Sequence, residues 1–327
     1  MHRSLPSLSR ALAAALGFAA LMVQPAAAQE ADWPNRAVTV VVPFAAGGNT
    51  DTMARLASQK LADVFKQSFV VENKVGAGGA IAASYVMQQP ADGYTLFFAA
   101  APQIAILPYV QNVNYDPLKD FAPVSVFGTG PFILAISSEV PAKSLGEFVA
   151  YAKQRKINYG SGGSGTVGHL SGALFVARAG IEAVHVPFRG GAPAMTALLG
   201  GQVEMYFGNA AEIIPHAESG KARILAVAAD QRLKQLPNIP TVNETYPNFS
   251  LNSWNGFLVR TGTPRPIIDK LAREVIAAAK DPAIVAQLTK LGIEPNGTTP
   301  EETAAQITRE QPQYNTAIDS AGLKQPQ

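Results

Sequence analysis

Three short stretches combine glycine with small or polar residues just ahead of a helical pattern. They are Phe44-Ala45-Ala46-Gly47-Gly48-Asn49-Thr50, Gly160-Ser161-Gly162-Gly163-Ser164-Gly165-Thr166 and Arg189-Gly190-Gly191-Ala192. None pairs a nucleophile with a base or spaces a set of metal ligands. What they offer is backbone. A strand that ends in a glycine turn and enters a helix aims unpaired N–H groups at one point. The positive end of the helix dipole points there too, and an anion can be held. Each turn is equally consistent with a βα connection that binds nothing. Three in one chain favour a shared site, because ligands of open α/β sheets sit beyond the carboxyl ends of the strands.

Other candidates are weaker. Gly160, Gly162 and Gly165 satisfy G-x-G-x-x-G, but Glu182, the acid at the right distance, precedes its strand instead of ending one. A dinucleotide is therefore rejected. Ser164 is not a nucleophile elbow, since G-x-S-x-G would need glycine at Thr166. Its hydroxyl is left to bond a ligand or its own turn. His169 opens a helix and His185 lies in a strand; a structural role stands against a catalytic one for both. Asp51, in a first helical turn, either steadies the dipole or touches ligand, and its charge would repel a bound anion. Arg189 reads as a solvated loop residue or as a cationic clamp. No cofactor and no metal are expected.

The elements that must position these residues alternate. Ala37 to Val42 reads as a buried strand, and Met53, Leu56, Ala57, Leu61 and Val64 recur at helical spacing behind it, with Asn49 or Thr50 as N-cap. Phe69 to Val75 is a second strand, Gly76 to Gly79 a turn into a helix, and Tyr94 to Ala99 a third strand. This is the pattern of a largely parallel sheet covered by helices. A proline-bearing segment from Pro102 to Pro123 leads into a strand-rich stretch, Val124 to Ser137, and the first passage between two domains is expected here, at residues 125–126. The second half repeats the logic, with strands at 157–159, 183–188, 203–207 and 222–229. Trp254 to Arg260 is a strand able to lead back into the first domain. Closing helices follow Thr263-Pro264, Asp281-Pro282 and Thr299-Pro300, each as a cap and a proline at the first helical position.

The chain has 327 residues, 47% of them hydrophobic, enough for one large or two medium domains. His2, Arg3 and Arg10 precede an uncharged apolar stretch, Ala11 to Val23, and Ala26-Ala27-Ala28 offers a cleavage site. The stretch is too short to span a bilayer. Residues 1–28 read as a signal peptide, with a retained anchor as the alternative. Loss of Arg3 and Arg10 brings Lys and Arg from 26 to the number of Asp and Glu, 24. A neutral mature surface argues against nucleic acid. The absence of cysteine excludes disulfides, thiol nucleophiles and thiolate metal sites.

The successive blocks PFAAGGNTDTMARLASQKL, VVENKVGAGGAIAA, ADGYTLFFAA, YDPLKDFAPVS, INYGSGGSGTVGHLSG, HVPFRGGAPAMTALLGGQVEM and GFLVRTGTP resemble, in order and over the whole mature chain, those of the Bug family. These are periplasmic solute-binding receptors of tripartite tricarboxylate transporters. The resemblance implies an α/β periplasmic-binding-protein fold, type II-like: a two-domain clamshell with two crossover strands. Domain 1 would comprise residues 29–125 and 254–327, and domain 2 residues 126–253. It implies a non-enzymatic, monomeric receptor in the periplasm that passes its ligand to a tripartite tricarboxylate-type transporter or to a sensor. A periplasmic hydrolase is the alternative, and a structural or adhesive exported domain a further one.

The resemblance further implies that a ligand carboxylate is held by the turn Phe44, Ala45, Gly47, Gly48, Asn49 and Thr50. Ser161, Gly163, Ser164 and Thr166, with Arg189, Gly190, Gly191 and Ala192, would supply the second side. Ala101 and Gln103 follow the strand YTLFF, and Gly208 and Asn209 follow the strand VEMYF. Family members often carry an acid at this last place, and some use it to hold an amino group. Gly208 there suggests that an amino-acid ligand loses its counter-charge, with Glu204 or Glu212 as possible substitutes. Ala99 to Ala101 suggest room for an apolar body. The expected ligand is an aromatic or aliphatic dicarboxylate.

Overall fold

The computed structural model describes residues 32–324. The signal-peptide reading of residues 1–28 lies outside them. Strand β1 (Val38–Val42) buries Val38, Val40, Val41 and Val42 completely, because it has a parallel neighbour on each side and helices over both faces. Those neighbours are β2 (Phe69–Asn73) and β3 (Thr95–Ala100). Helices α1 (Asn49–Phe65) and α2 (Ala80–Met87) make the crossovers.

β3 pairs antiparallel with β9 (Asn252–Arg260), and β9 pairs with the first part of β4 (Phe121–Ser137). The last part of β4 changes partners. Phe132 to Ser137 pair with β8 (Ala222–Ala228), and Phe132 to Ile136 also pair with β7 (Met205–Asn209). β7 then leads through β5 (Ile157–Ser161) to β6 (Ala183–Pro187), all parallel. The strand order is β2-β1-β3-β9-β4-β7-β5-β6, with β8 and the two-residue β10 (Glu294–Pro295) also on β4. This is the two-lobed, two-crossover α/β fold expected.

The first passage runs inside β4, near Pro131 and Phe132, where the strand changes partners, in the strand-rich stretch that follows the segment from Pro102 to Pro123. That segment folds into two short helices, α3 (Ala101–Ala105) and α4 (Leu107–Val110), each with proline in its first turn, where the missing N–H is harmless. Register shifts between Pro123 and Ser125 and between Val126 and Gly128 bend β4 as it crosses.

Lobe 2 adds helices α5 (Leu145–Ala152), α6 (Val167–Ala179), α7 (Gly191–Leu199) and α8 (Ala210–Glu218). The chain closes with α9 (Arg265–Ala279), α10 (Pro282–Lys290) and α11 (Pro300–Ser320). Asp281 and Thr299 cap as expected, each accepting backbone N–H bonds. Thr263 does not; its hydroxyl donates to the Arg260 carbonyl, and Pro264 stands at the cap of α9. α11 lies along the junction of the lobes. Its Tyr314 hydroxyl donates to the Asn252 carbonyl at 2.8 Å, and Gln311 Nε2 to the Ala105 carbonyl at 2.9 Å. Ile307, Tyr314, Ala317 and Ile318 join one apolar cluster with Phe97 of lobe 1 and Phe175 of lobe 2.

Candidate functional site

The turn between β1 and α1 faces lobe 2. Gly47 takes φ +82°, a left-handed conformation that suits glycine, and swings the chain into the helix. The N-cap is Gly48, one residue earlier than the expected Asn49 or Thr50, and no side chain caps. The reason is that both polar side chains are used elsewhere. Thr50 Oγ1 donates to Asn255 Oδ1 at 2.7 Å, and Asn49 Nδ2 reaches Asn209 Oδ1 at 3.3 Å. Asp51 takes the structural role. It is 2% exposed and accepts from the Gly47 N–H, Asn73 Nδ2 and two nitrogens of Arg55. Burial pushes its pKa up, but Arg55 and the other donors outweigh burial and hold it below the ordinary carboxylate value.

Facing this turn are the starts of α7 and α8. The Asn49 N–H of α1 donates to Glu212 Oε1 at 3.0 Å, across the lobes. The Tyr206 hydroxyl donates to Oε2 of the same carboxylate at 2.7 Å. Glu212 is the third residue of α8, and the N–H and side-chain amide of its N-cap, Asn209, also favour its charged form. Burial is the largest influence and leaves its pKa above the ordinary value. Of the two acids offered by the sequence as substitutes for one at Gly208, Glu212 is the one at the cavity. A Cβ on Gly208 would meet the Tyr206 ring at 2.1 Å, so glycine there makes room for the tyrosine that holds Glu212. A carboxyl group is present, four residues further on. Glu204 is elsewhere, accepting from the Asn158 N–H.

Between the lobes lies a cavity of about 40 Å³. That is room for about two or three waters, so a dicarboxylate requires the lobes to part. Of the expected residues, Phe44, Gly48, Asn49, Thr50, Thr166, Gly191 and Asn209 line it. Gly162, Val167, Ala100, Pro102, Phe132, Tyr206, Glu212, Ser253 and Asn255 complete the wall. α1, α3, α6, α7 and α8 all begin here, and no Lys, Arg or His is among the lining residues.

The other expected residues stand apart. The Ala45 N–H donates to the Arg189 carbonyl at 3.1 Å, a direct contact between lobes, and a Cβ on Gly190 would meet that nitrogen at 2.9 Å. A Cβ on Gly48 would stand 3.9 Å from Ala192 N. Gly47 is exposed on the outer side of its turn. Gly163 packs against Gly78, while Ser164 and the exposed Arg189 line a separate outer pocket. Ala101 and Gln103 are fully buried; Gln103 bonds the Ala100 N–H and the Gly78 carbonyl and supports the wall from behind. Ser161 is also fully buried, with Oγ 2.7 Å from His185 Nε2 and bonded to Gly163. His169 and His185 stack at 3.8 Å behind the loop, and burial lowers their pKa values to about 4 and about 3.

Several lining residues escaped the sequence reading. Phe132, Ser253 and Asn255 come from β4 and β9 at the passage, where only pairing reveals them. Glu212 had a legible signal, since Asn209-Ala210-Ala211-Glu212 has the spacing of an N-cap and its third-position acid.

Residues 53–323 match the tripartite tricarboxylate transporter family receptor family, TctC. Protein BugT of Bordetella pertussis (strain Tohama I) is 32% identical over 297 residues, 89% of this chain and 91% of its own. The R. palustris protein Rpa4515, solved with adipate, is 36% identical with TM-score 0.86, covering 89% of this chain and 98% of that one. MatC (Rpa3494) from Rhodopseudomonas palustris, solved with bound malate, is 32% identical with TM-score 0.80, covering 88% and 100%. A glycine-turn cleft between two α/β lobes and a match across most of the chain agree, and the protein belongs to the TctC family of solute-binding receptors, to which the Bug proteins also belong.

Proposed function

We propose that this receptor captures a small dicarboxylate between its lobes, in the periplasm, and hands it to a tripartite tricarboxylate-type transporter or to a sensor. It would act as a monomer. The lobes that close are taken as residues 29–125 with 254–327 and residues 126–253, joined through β4 and the start of β9. The observation that carries the reading is the convergence of helix N-termini from both lobes on one cavity lined by no basic side chain. Such a wall holds anions through backbone N–H groups. Starts on both sides suit a ligand with a carboxylate at each end, and Phe44, Ala100, Phe132 and Val167 suit an apolar spacer. The solved relatives with adipate and malate support this class. An amino group at Glu212 would have to share the carboxylate with the Asn49 N–H and the Tyr206 hydroxyl, which already donate to it.

A thermal-shift screen of aliphatic and aromatic dicarboxylates, hydroxy acids and amino acids, followed by calorimetry, tests this. A dicarboxylate should bind at least ~1.4 kcal/mol, about tenfold, more tightly than aspartate or glutamate. Glutamate or aspartate giving the largest shift would remove the ligand class. Failure of every organic acid to bind would remove the receptor reading.

A further inference from the structure

Two histidines stand behind the glycine loop of lobe 2 and are not among the residues that line the cavity. His169, the third residue of α6, accepts the Gly165 N–H on Nδ1 at 3.1 Å. His185 of β6 places Nε2 2.7 Å from Ser161 Oγ, which accepts the Gly163 N–H at 3.1 Å and donates to the Gly163 carbonyl at 3.0 Å. The two rings stack at 3.8 Å, and the Tyr159 ring of β5 lies 5.0 Å from that of His185. The pair thus holds the loop at two points, from within one lobe.

The loop has two duties. Gly162 and Thr166 line the cavity. The loop also meets lobe 1 so closely that a Cβ on Gly78 would strike the Ser164 carbonyl, and one on Gly165 would strike Leu107. Gly163 and Gly165 sit at φ +132° and +73°. Glycine leaves such conformations freely, so hydrogen bonds must fix the shape of the loop.

A backbone N–H only donates, so His169 Nδ1 carries no proton. A proton there would turn the acceptor into a donor facing Gly165, and a second on His185 would set two like charges 3.8 Å apart. The elements packed on the pair do little to offset this. β5 brings Tyr159, which burial keeps neutral with its pKa pushed up to about 12. β7 brings Tyr206, whose hydroxyl is given to Glu212. α11 brings Tyr314, bonded to the Asn252 carbonyl, and Glu310, bonded to Gln306. Residues 162–166 contain no ionisable side chain.

We infer that His169 and His185 are positioning residues that hold the loop of residues 162–166 in its ligand-binding shape, and that they do so only as neutral imidazoles, so that acid loosens the loop and weakens binding. The inference rests on the dicarboxylate reading above and adds a regulation to it. With the lobes in contact, burial lowers the two pKa values to about 4 and about 3. When the lobes part, Gly78 and Leu107 leave the loop, which can then yield to a proton. Ligand and proton therefore compete. Affinity is fully present above the ordinary histidine value of about 6.5 and is lost as pH falls toward 4.

Calorimetry at pH 7.5 and pH 4.5 tests it, with adipate, or with malate if adipate does not bind. His169→Asn keeps an acceptor oxygen near the place of Nδ1 and does not titrate. His169→Leu fills similar space with no acceptor. His185→Gln keeps a donor near the place of Nε2. At pH 7.5, His169→Leu should weaken binding at least ~fivefold, while His169→Asn stays within ~twofold of the wild type. Moving to pH 4.5 should cost the wild type at least ~threefold more affinity than the His169→Asn, His185→Gln double variant, since titration of the diacid itself is common to both. Wild-type binding by His169→Leu, or equal losses in the Leu and Asn variants, overturns the positioning role. Equal pH dependence in the wild type and the double variant overturns the dependence on neutral imidazoles. If far-UV circular dichroism shows that His169→Leu does not fold, the pH comparison decides alone. Each of these outcomes leaves the receptor reading standing; if neither acid binds the wild type, the dicarboxylate reading falls and this inference with it.

Discussion

A Cβ on Gly191 would lie 2.0 Å from Oε1 of Glu212. The first residue of α7 therefore has no side chain because a carboxylate from α8 fills that space, and this same carboxylate bonds the first residue of α1 in the opposite lobe.

Gly191→Ala should push Glu212 off the Asn49 N–H. Losing a hydrogen bond to a charged group costs about 1.5–3 kcal/mol, partly recovered by solvation as the lobes loosen. We expect a lower melting temperature for the ligand-free protein and a moved Asn49 amide resonance. A variant with wild-type values of both would show that the carboxylate does not need the space.

Gly48 is different. Its φ is −80°, and a Cβ would stand 3.4 Å from Glu212 Oε1 and 3.5 Å from the Ala45 carbonyl. Alanine should be accommodated with less than ~1 kcal/mol of destabilisation. Valine places two more carbons against a cavity of about 40 Å³. Gly48→Val should abolish dicarboxylate binding with far-UV circular dichroism near native; unchanged affinity in calorimetry would take this turn out of the site.

The lobes touch directly through Ala45 and Arg189 and through Asn49 and Glu212. A ligand must enter an opened form and leave it closed again. Small-angle scattering should therefore give a changed radius of gyration at ligand saturation. An unchanged profile, with binding confirmed separately, counts against hinged closure.

The stacked His169 and His185 give stability a pH dependence. Burial lowers both pKa values, to about 4 and about 3, and for His185 the neighbouring His169 adds to it. The unfolded chain takes up protons below about pH 6.5, while the folded protein refuses them until near pH 4. Stability is thus fully present above that unfolded value and declines as pH falls from 6.5 toward 4. The upper bound is ~1.4 kcal/mol per pH unit for each histidine, reduced by partial exposure. Asp51, held below 3.8, does not titrate in this window. Urea melts at pH 7 and pH 5 should show the loss, and a His169→Gln, His185→Gln double variant should flatten it. An equal loss in that variant would assign the effect to other groups.

The parts of the fold that were legible in the sequence are those governed by neighbours in the chain. The valines of β1, the glycine turns and the proline-capped helices α10 and α11 obey local rules. The passage inside β4 does not, because a strand that changes partners at Phe132 looks the same in sequence as one that keeps them. The site divided in the same way. Gly48, Asn49, Thr50, Thr166 and Gly191 belong to the local turn pattern and line the cavity. Ser253, Asn255 and Phe132 are brought there by pairing over long separations. The packing role of Gly208 was hidden because it lies in the Tyr206 ring, a contact that glycine shows only by having no side chain.

Lobe 1 is assembled from both ends of the chain. β1 to β3 come early, but β9, which closes β3 on one side and β4 on the other, arrives only at Asn252–Arg260, and α11 later still. Until then β3 has an open edge, and the residues between β4 and β9 must be looped out before the central ladder can form. Loop closure of that span must be met before its contacts reward it, which makes folding slow and leaves an unpaired strand edge exposed meanwhile. The junction between the lobes is thus also among the last parts of the molecule to be completed, and a chain shortened before α11 would lose the helix that braces it.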